Sequence, residues 1–428
     1  MIFRLSYIVL ITLLSPFFLF GLYKTKPGKP KIGSRWKEHW GFTPALSCTS
    51  EPIWIHAVSV GETIAAIPII HKLKSQYPQI EILLTTTTTT GFEQAKKLGD
   101  LVTHRYMPLD FPFAIKRFLK VIKPSQLIIM ETEIWPNTLY YSRLAGVPVS
   151  LINARLSDKS FQGYAKIKPL IRLVNDCVSQ IICQYASDAK NFERLGISPH
   201  KLALSGSIKF DISISDEVNK KGRDLRLRLG SQRPVWIAAS THAGEDEIVL
   251  AAHQKVLDVY KDALLILVPR HPERFAQVKL LAQKSHTTVT RSSNKIPSDS
   301  TQVYLGDTMG EMLELLEASD VCFMGGSLLG DKVGGHNLLE PAALAKPTLI
   351  GPSYYNFQDI TDSLIAQGAC KVVMNENELA HNLLTLFKDH SLSTKRGRRS
   401  YDFVKGNTGA VDIIVHHIIH GQYGQSRG

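Results

Sequence analysis

Three glutamates follow directly on apolar runs. Glu62 lies in W-I-H-A-V-S-V-G-E-T, beginning at Trp54, and Glu131 and Glu133 lie in Q-L-I-I-M-E-T-E, beginning at Gln126. A carboxylate at such a corner can take the proton of an attacking hydroxyl as a general base. An acid at a helix start equally complements the helix dipole, and on this stretch alone the two readings of Glu62 stand level. The dipole and free amides would keep Glu62 ionised at neutral pH while lowering its basicity. Glu131 and Glu133 could together hold a metal, but no D-x-D occurs, and H-E-x-x-H, G-x-S-x-G and P-loop patterns are absent as well. Ser207 and Lys209 follow another short apolar run at Leu202–Ser205.

The second half carries a different set. G-G-H-N-L-L-E-P-A (Gly334–Ala342) pairs flexible glycines with a predicted helix start near His336 and Asn337. Amides at that start suit a phosphate, and Glu340, one turn from Asn337, could accept from ribose hydroxyls. V-P-R-H-P-E-R-F places Arg270 directly after a strand, where it can meet a phosphate or carboxylate. G-D-T-M-G-E places Met309, Gly310 and Glu311 at another helix entry, and Gly325–Ser327 reads as a second amide-rich turn. Each feature alone is an ordinary turn, cap or first-turn acid. Together they outline a nucleotide pocket.

These residues need elements that end at one edge. From Ile53 onward, short apolar runs alternate with helical patterns, as in a doubly wound α/β domain. The first strand gives way at Ser59-Val60-Gly61 to a helix whose apolar positions are Ile64, Ile67 and Leu73. After Phe210 the composition turns charged, Asp216 to Arg228 reads as linker and helix, and the alternation then restarts. Two such domains would face each other across a cleft between their strand carboxyl ends, where ligands collect. At 428 residues the chain can bury two cores, and 44% hydrophobic content with 21% charged content excludes disorder. The net charge of +12 suits a phosphorylated substrate or an anionic membrane surface. Nucleic acid fits less well, because no base-stacking motif appears. Five cysteines without C-x-x-C read as buried thiols, with neither a disulfide framework nor zinc.

No charged residue lies between Arg4 and Lys24, a run of about 19 residues, enough to cross a bilayer core. Pro16 favours an interfacial anchor nearly as well. Lys24, Lys26, Lys29, Lys31, Arg35 and Lys37 follow, which puts the remainder on the cytoplasmic side and offers a collar for anionic headgroups.

The motifs V-S-V-G-E-T-I-A-A-I-P, M-E-T-E-I-W-P-N, N-A-R-L-S, G-S-I-K-F-D, V-P-R-H-P-E-R-F, G-D-T-M-G-E and G-G-H-N-L-L-E occur in that order. In them the chain resembles the 3-deoxy-D-manno-octulosonic acid (Kdo) transferases of lipopolysaccharide inner-core biosynthesis. The resemblance implies a GT-B fold, two doubly wound Rossmann-like α/β domains facing a cleft. It also implies inverting transfer of Kdo from CMP-Kdo to a lipid A precursor at the cell inner membrane, without metal or cofactor. It carries the base onto Glu62 and transition-state stabilisation onto Glu131 and Lys209. CMP contacts fall on Pro269, Arg270, Met309, Gly310, Glu311, Asn337, Leu338, Leu339 and Glu340. The loop L-L-G-D-K-V before G-G-H-N is longer than the family pattern. The expected domains are an anchor at 1–23, an acceptor-binding domain at 24–212 and a CMP-sugar domain at 213–428, whose last helix could return to the first. Two rival classes remain at this point: a nucleotide-sugar epimerase on a similar fold, and a lipid-binding protein without catalysis.

Overall fold

A computed structural model describes residues 2–23, 33–46 and 50–421. Of the expected basic collar, Lys24, Lys26, Lys29 and Lys31 lie outside the described residues, as does Cys48. The chain divides into two compact units, Met1–Asp211 with Thr408–Gly428, and Ile212–Asn407.

The first unit holds a seven-stranded sheet built from Ile53–His56 (β1), Ile82–Thr86 (β2), Thr103–Tyr106 (β3), Gln126–Met130 (β4), Val149–Ala154 (β5), Gln180–Cys183 (β6) and Leu202–Leu204 (β7). The order is β3-β2-β1-β4-β5-β6-β7, and every pairing is parallel. Parallel strands are covered on both faces, which is why β1, β2, β4 and β5 are buried at every position. Trp54 enters one core with Leu127, Leu151 and Phe118, while its neighbours Ile53 and Ile55 enter the core on the other face.

The second unit repeats the plan with Val235–Thr241 (β8), Leu264–Pro269 (β9), Thr288–Thr290 (β10), Val303–Leu305 (β11), Val321–Met324 (β12), Thr348–Ile350 (β13) and Cys370–Val372 (β14). Its order is β10-β11-β9-β8-β12-β13-β14, again all parallel. The direction of winding reverses between β1 and β4 in the first unit and between β8 and β12 in the second. Ligands of open α/β sheets collect outside the strand carboxyl ends at such reversals.

Three details bear on the sequence expectations. Helix Val60–Gln76 buries Thr63, Ala66, Ile69, Ile70 and Leu73, and leaves Ile64 51% exposed, so its inner face is rotated from the predicted one. The second unit stops at Asn407, because helix Ala410–His420 packs Ala410, Val411, Ile414, Val415 and Ile418 against Ile55, Ala66 and Ile70 of the first. Asp211 caps that helix, accepting from the amides of Gly409 and Val411 at 2.6 Å each. Finally, residues Ile2–Tyr23 form one helix that runs through Pro16, with Leu5, Val9, Leu10, Leu13, Phe17 and Phe20 exposed. Among the described residues no helix is long and apolar enough to cross a membrane. Cys177, Cys183, Cys322 and Cys370 are buried free thiols.

Candidate active site

In the first unit, Ser59 ends the corner after β1 and caps helix Val60–Gln76. Its hydroxyl accepts from the Glu62 amide at 3.2 Å and donates to Glu62 Oε1 at 2.7 Å. Glu62 Oε2 accepts from the Val58 amide at 2.8 Å. S-V-G-E is therefore a variant of the capping box, in which the third-position acid reaches back to the amide one residue before the cap. Glu62 is 6% exposed. Each carboxylate oxygen keeps a further lone pair for an incoming hydroxyl.

Glu131 follows β4 with φ 57°, a left-handed conformation that non-glycine residues rarely hold and that concentrates at functional sites. Its amide donates to Ile152 O at 2.9 Å, which fixes the turn to β5. Asn153 in β5 also has positive φ, 51°. It accepts from the Ile208 amide at 3.4 Å and so holds the 3-10 turn Ile208–Phe210 that carries Lys209. Thr132 Oγ1 bonds the backbone of Arg155, tying the M-E-T-E loop to N-A-R-L-S.

The charges act on one another. Burial pushes the Glu131 carboxyl up and Glu62 pushes it further, while Lys209 and Arg155 pull it back. Glu133 is raised by burial, then by Glu62 and Glu131. Glu62 and Lys209 thus both lie within electrostatic reach of Glu131, which follows β4 beside the β1/β4 reversal. Among the described residues the Lys209 ammonium has no hydrogen-bond or ion-pair partner. Sequence reasoning missed Arg155, which joins this cluster from the end of β5. Its signal was present, since N-A-R-L-S follows a strand as M-E-T-E does. His56, at the end of β1, is buried and bonded to Thr85, and burial lowers its pKa to about 4, so it is neutral at physiological pH.

In the second unit the candidate residues follow β9, β11 and β12. Pro269 ends β9, and the Arg270 amide donates to Thr241 O at 3.0 Å. The second arginine of V-P-R-H-P-E-R braces the end of β8, since Arg274 pairs with Asp246 and donates to Thr241 O. Among the described residues the Arg270 guanidinium has no hydrogen-bond partner. It pulls down the Glu340 carboxyl, which burial raises, and it adds to the burial that lowers the pKa values of His242 and His336. The His242 and His336 rings lie nearly parallel, 12° apart, with centroids 5.1 Å apart, and their Nε2 atoms are 2.8 Å apart, close enough for one ring to donate to the other. His271 meets His242 edge-on. Arg270, Glu340 and three histidines therefore form one cluster, in which burial and Arg270 favour the neutral forms of His242 and His336. Of the three histidines the sequence reading names only His336, as a helix start, and gives none of them a role in the site.

Two expectations change here. The Gly325–Ser327 turn does not offer free amides. The buried carboxylate of Glu245 already accepts from Gly326, Ser327 and Leu328 at 2.6, 2.9 and 2.9 Å, and from His242 at 3.1 Å. The helix of G-G-H-N-L-L-E begins later than predicted and spans only Leu339–Ala343. Asn337 caps it, accepting from the Leu339 amide at 3.0 Å, and Leu338 and Leu339 are buried in the core. Glu311 is engaged by Arg291 at 2.8 Å and by Thr308, which holds it below its usual range. Met309 beside it is 64% exposed, and Gly310 holds φ 86°. Among the described residues no group of three or more His, Cys, Asp or Glu is placed to hold a metal ion.

A family model described as 3-deoxy-D-manno-octulosonic-acid transferase (kdotransferase) matches residues 34–212. A 3-deoxy-D-manno-octulosonic acid transferase of Haemophilus influenzae is 40% identical over 418 residues, 96% of this chain and 97% of that protein. The solved C-terminal CMP-Kdo binding domain of WaaA from Acinetobacter baumannii is 35% identical and covers 44% of this chain and 98% of its own, with a TM-score of 0.42. UDP-GlcNAc 2-epimerase from Neisseria meningitidis, 15% identical over 87% of this chain and 100% of its own, has a TM-score of 0.56 and shows the shared two-domain fold alone. Identity to a single transferase along nearly the whole length settles the family: the chain belongs to the 3-deoxy-D-manno-octulosonic acid (Kdo) transferases and is a glycosyltransferase.

Proposed function

We propose that this chain moves Kdo from CMP-Kdo to a lipid A precursor, one or more times, with inversion and without a step assigned to a metal ion. The observation that carries the reading is the grouping of Glu62, Glu131 and Lys209 beside the β1/β4 reversal. A sugar hydroxyl is a weak nucleophile until its proton leaves. Glu62 takes that proton as the oxygen attacks the anomeric carbon from the face opposite the leaving group. Its two hydrogen bonds at the cap hold it in one orientation, which favours a productive geometry. Glu131 faces the positive charge that develops at the anomeric carbon, and Lys209 keeps it ionised beside Glu62. The leaving group is a nucleoside monophosphate. Arg270, whose guanidinium has no hydrogen-bond partner among the described residues, offsets its growing charge, and Glu340 accepts from the ribose.

The exposed apolar residues of helix Ile2–Tyr23 and the basic run behind it support placement at the cytoplasmic face of the inner membrane, where a lipid-borne acceptor resides. The experiment is mass spectrometry of a lipid A precursor incubated with the full chain and freshly made CMP-Kdo. The lipid should gain the mass of one or more Kdo residues. An unchanged lipid with a folded enzyme removes the reading, and CMP release without lipid modification removes the acceptor.

A further inference from the structure

The strand-end loop Glu131–Trp135 runs straight into helix Pro136–Leu144, whose N-cap residue Trp135 makes no side-chain cap bond. The cap comes from elsewhere. Asp110, in the loop after β3 and 4% exposed, directs both carboxylate oxygens at the first turn. Oδ1 accepts from the Thr138 amide at 2.7 Å and the Thr138 hydroxyl at 2.6 Å. Oδ2 accepts from the Asn137 amide at 2.9 Å and from the Tyr7 hydroxyl at 3.0 Å. Tyr7 belongs to the N-terminal helix. One turn earlier, Arg4 donates to Asn137 Oδ1 at 3.2 Å and lies over the Tyr140 ring, 3.3 Å from its centroid. The other end of the Asn137 side-chain amide donates to Asp110 O at 2.7 Å. Burial lifts the Asp110 carboxyl to about 6, so at neutral pH it is ionised and accepts from all four donors.

We infer that the N-terminal helix is a positioning element of the transfer site as well as a membrane contact, acting through Tyr7 and Asp110 on the loop that carries Glu131 and Glu133. The inference rests on the proposed Kdo transfer. Its physical basis is a loop pinned at both ends. One end is held by the Glu131 amide and the Thr132–Arg155 bonds. The other is held only as firmly as the first turn of Pro136–Leu144, and the N-terminal helix supplies part of that hold. A carboxylate displaced by about 1 Å costs on the order of 100-fold in rate even when the mutation lies away from the chemistry. Tyr7 and Asp110 touch no reacting atom. They act through the loop, so their removal should change turnover and leave donor binding alone.

The test compares the wild-type full chain with Tyr7→Phe and Asp110→Asn, using detergent-dispersed lipid A precursor, with vesicle sedimentation measured alongside. Wild-type Kdo transfer comes first, and its absence would remove the proposed reaction rather than this coupling. Given transfer, Tyr7→Phe should lower kcat several-fold, with KM for CMP-Kdo and binding to anionic vesicles unchanged. Asp110→Asn should lower kcat further, on the order of 100-fold. Should Asp110→Asn fail to fold, Tyr7→Phe decides alone, since it removes one hydroxyl and keeps the ring. Wild-type kcat in Tyr7→Phe overturns the inference. So does a loss that appears only in vesicle binding or melting temperature, because the helix would then anchor without positioning.

Discussion

A carboxylate that caps its own helix can still serve as a base, because each oxygen has a second lone pair. At Glu62 the cap bonds to Ser59 and Val58 fix the side chain and leave that capacity open. Glu62→Gln keeps an oxygen for one of the two donors and removes the negative charge. It should cost about 1 kcal/mol of stability, one hydrogen bond's worth, while lowering turnover by ~100-fold or more. CMP affinity should be unchanged, since the residues proposed to hold the nucleotide belong to the other unit. Turnover close to wild type, measured as CMP release, would remove Glu62 as the base. Residues that come soon after strands, such as Glu62, Glu131, Lys209 and Arg270, are legible in sequence because an apolar run precedes them. Asp110, Glu245 and Arg291 are not legible. Their partners Thr138, Gly326 and Glu311 lie far along the chain, and only the closed fold brings them together.

At the scale of elements, what can be read and what cannot divides by burial. Buried strands such as β4 and β9 announce themselves as apolar runs. β3 reads T-H-R-Y and is half-buried, and β14 is the three residues C-K-V with its lysine exposed, so neither carries a hydrophobic signal. The corner S-V-G-E is legible as a helix start, and its cap explains why Glu62 sits at the third helical position. The inner face of that helix is not legible, because apolar residues occupy both sides and tertiary packing chooses Ile69 and Ile70 over Ile64. The last helix shows the same rule at longer range. Its apolar stripe fits either unit in principle, but Asp211 caps it and the β1 face receives it. Ile414 is fully buried there, so Ile414→Ala should cost about 2–5 kcal/mol. Urea unfolding should register this in the first unit, and a variant that loses less than about 1 kcal/mol would mean the helix is not part of that core.

At the scale of the molecule, the repeated strand–helix alternation makes two domains legible, and the second ends at Asn407 because the last helix packs on the first. Both units carry buried histidines, and these set the acid limit of the fold. Burial lowers His39, His56 and His336 to about 4, and His104 and His253 to about 3. In the unfolded chain each titrates near 6.5. The unfolded state therefore binds more protons between these values, so stability is full above about pH 6.5 and falls as pH drops toward 4. Melting temperature should decline steadily from pH 7 to pH 5. A flat profile over that range would mean that these imidazoles are not held neutral. The proposed membrane association, also a property of the whole chain, would separate into two contributions with different salt dependence. Under that proposal the basic run Lys24 to Lys37 would attract anionic headgroups through charge, which salt screens with a Debye length of about 3 Å at 1 M. The exposed apolar residues of the N-terminal helix, Val9, Leu10, Leu13, Phe17 and Phe20, would bind by burial, which salt does not screen. Tyr7 and Arg4 hold the start of that helix against the first unit, so roughly the last 15 residues remain for lipid, short of the ~20 needed to cross a bilayer core. The helix should therefore enter one leaflet, and a label at residue 2 should stay inaccessible from the far side of a sealed vesicle. Sedimentation with anionic vesicles should weaken as salt rises to 1 M and then level off at a residual bound fraction. Leu13→Glu with Phe17→Glu should abolish that salt-resistant fraction. Complete release of the wild type at 1 M salt would assign the attachment to charge alone.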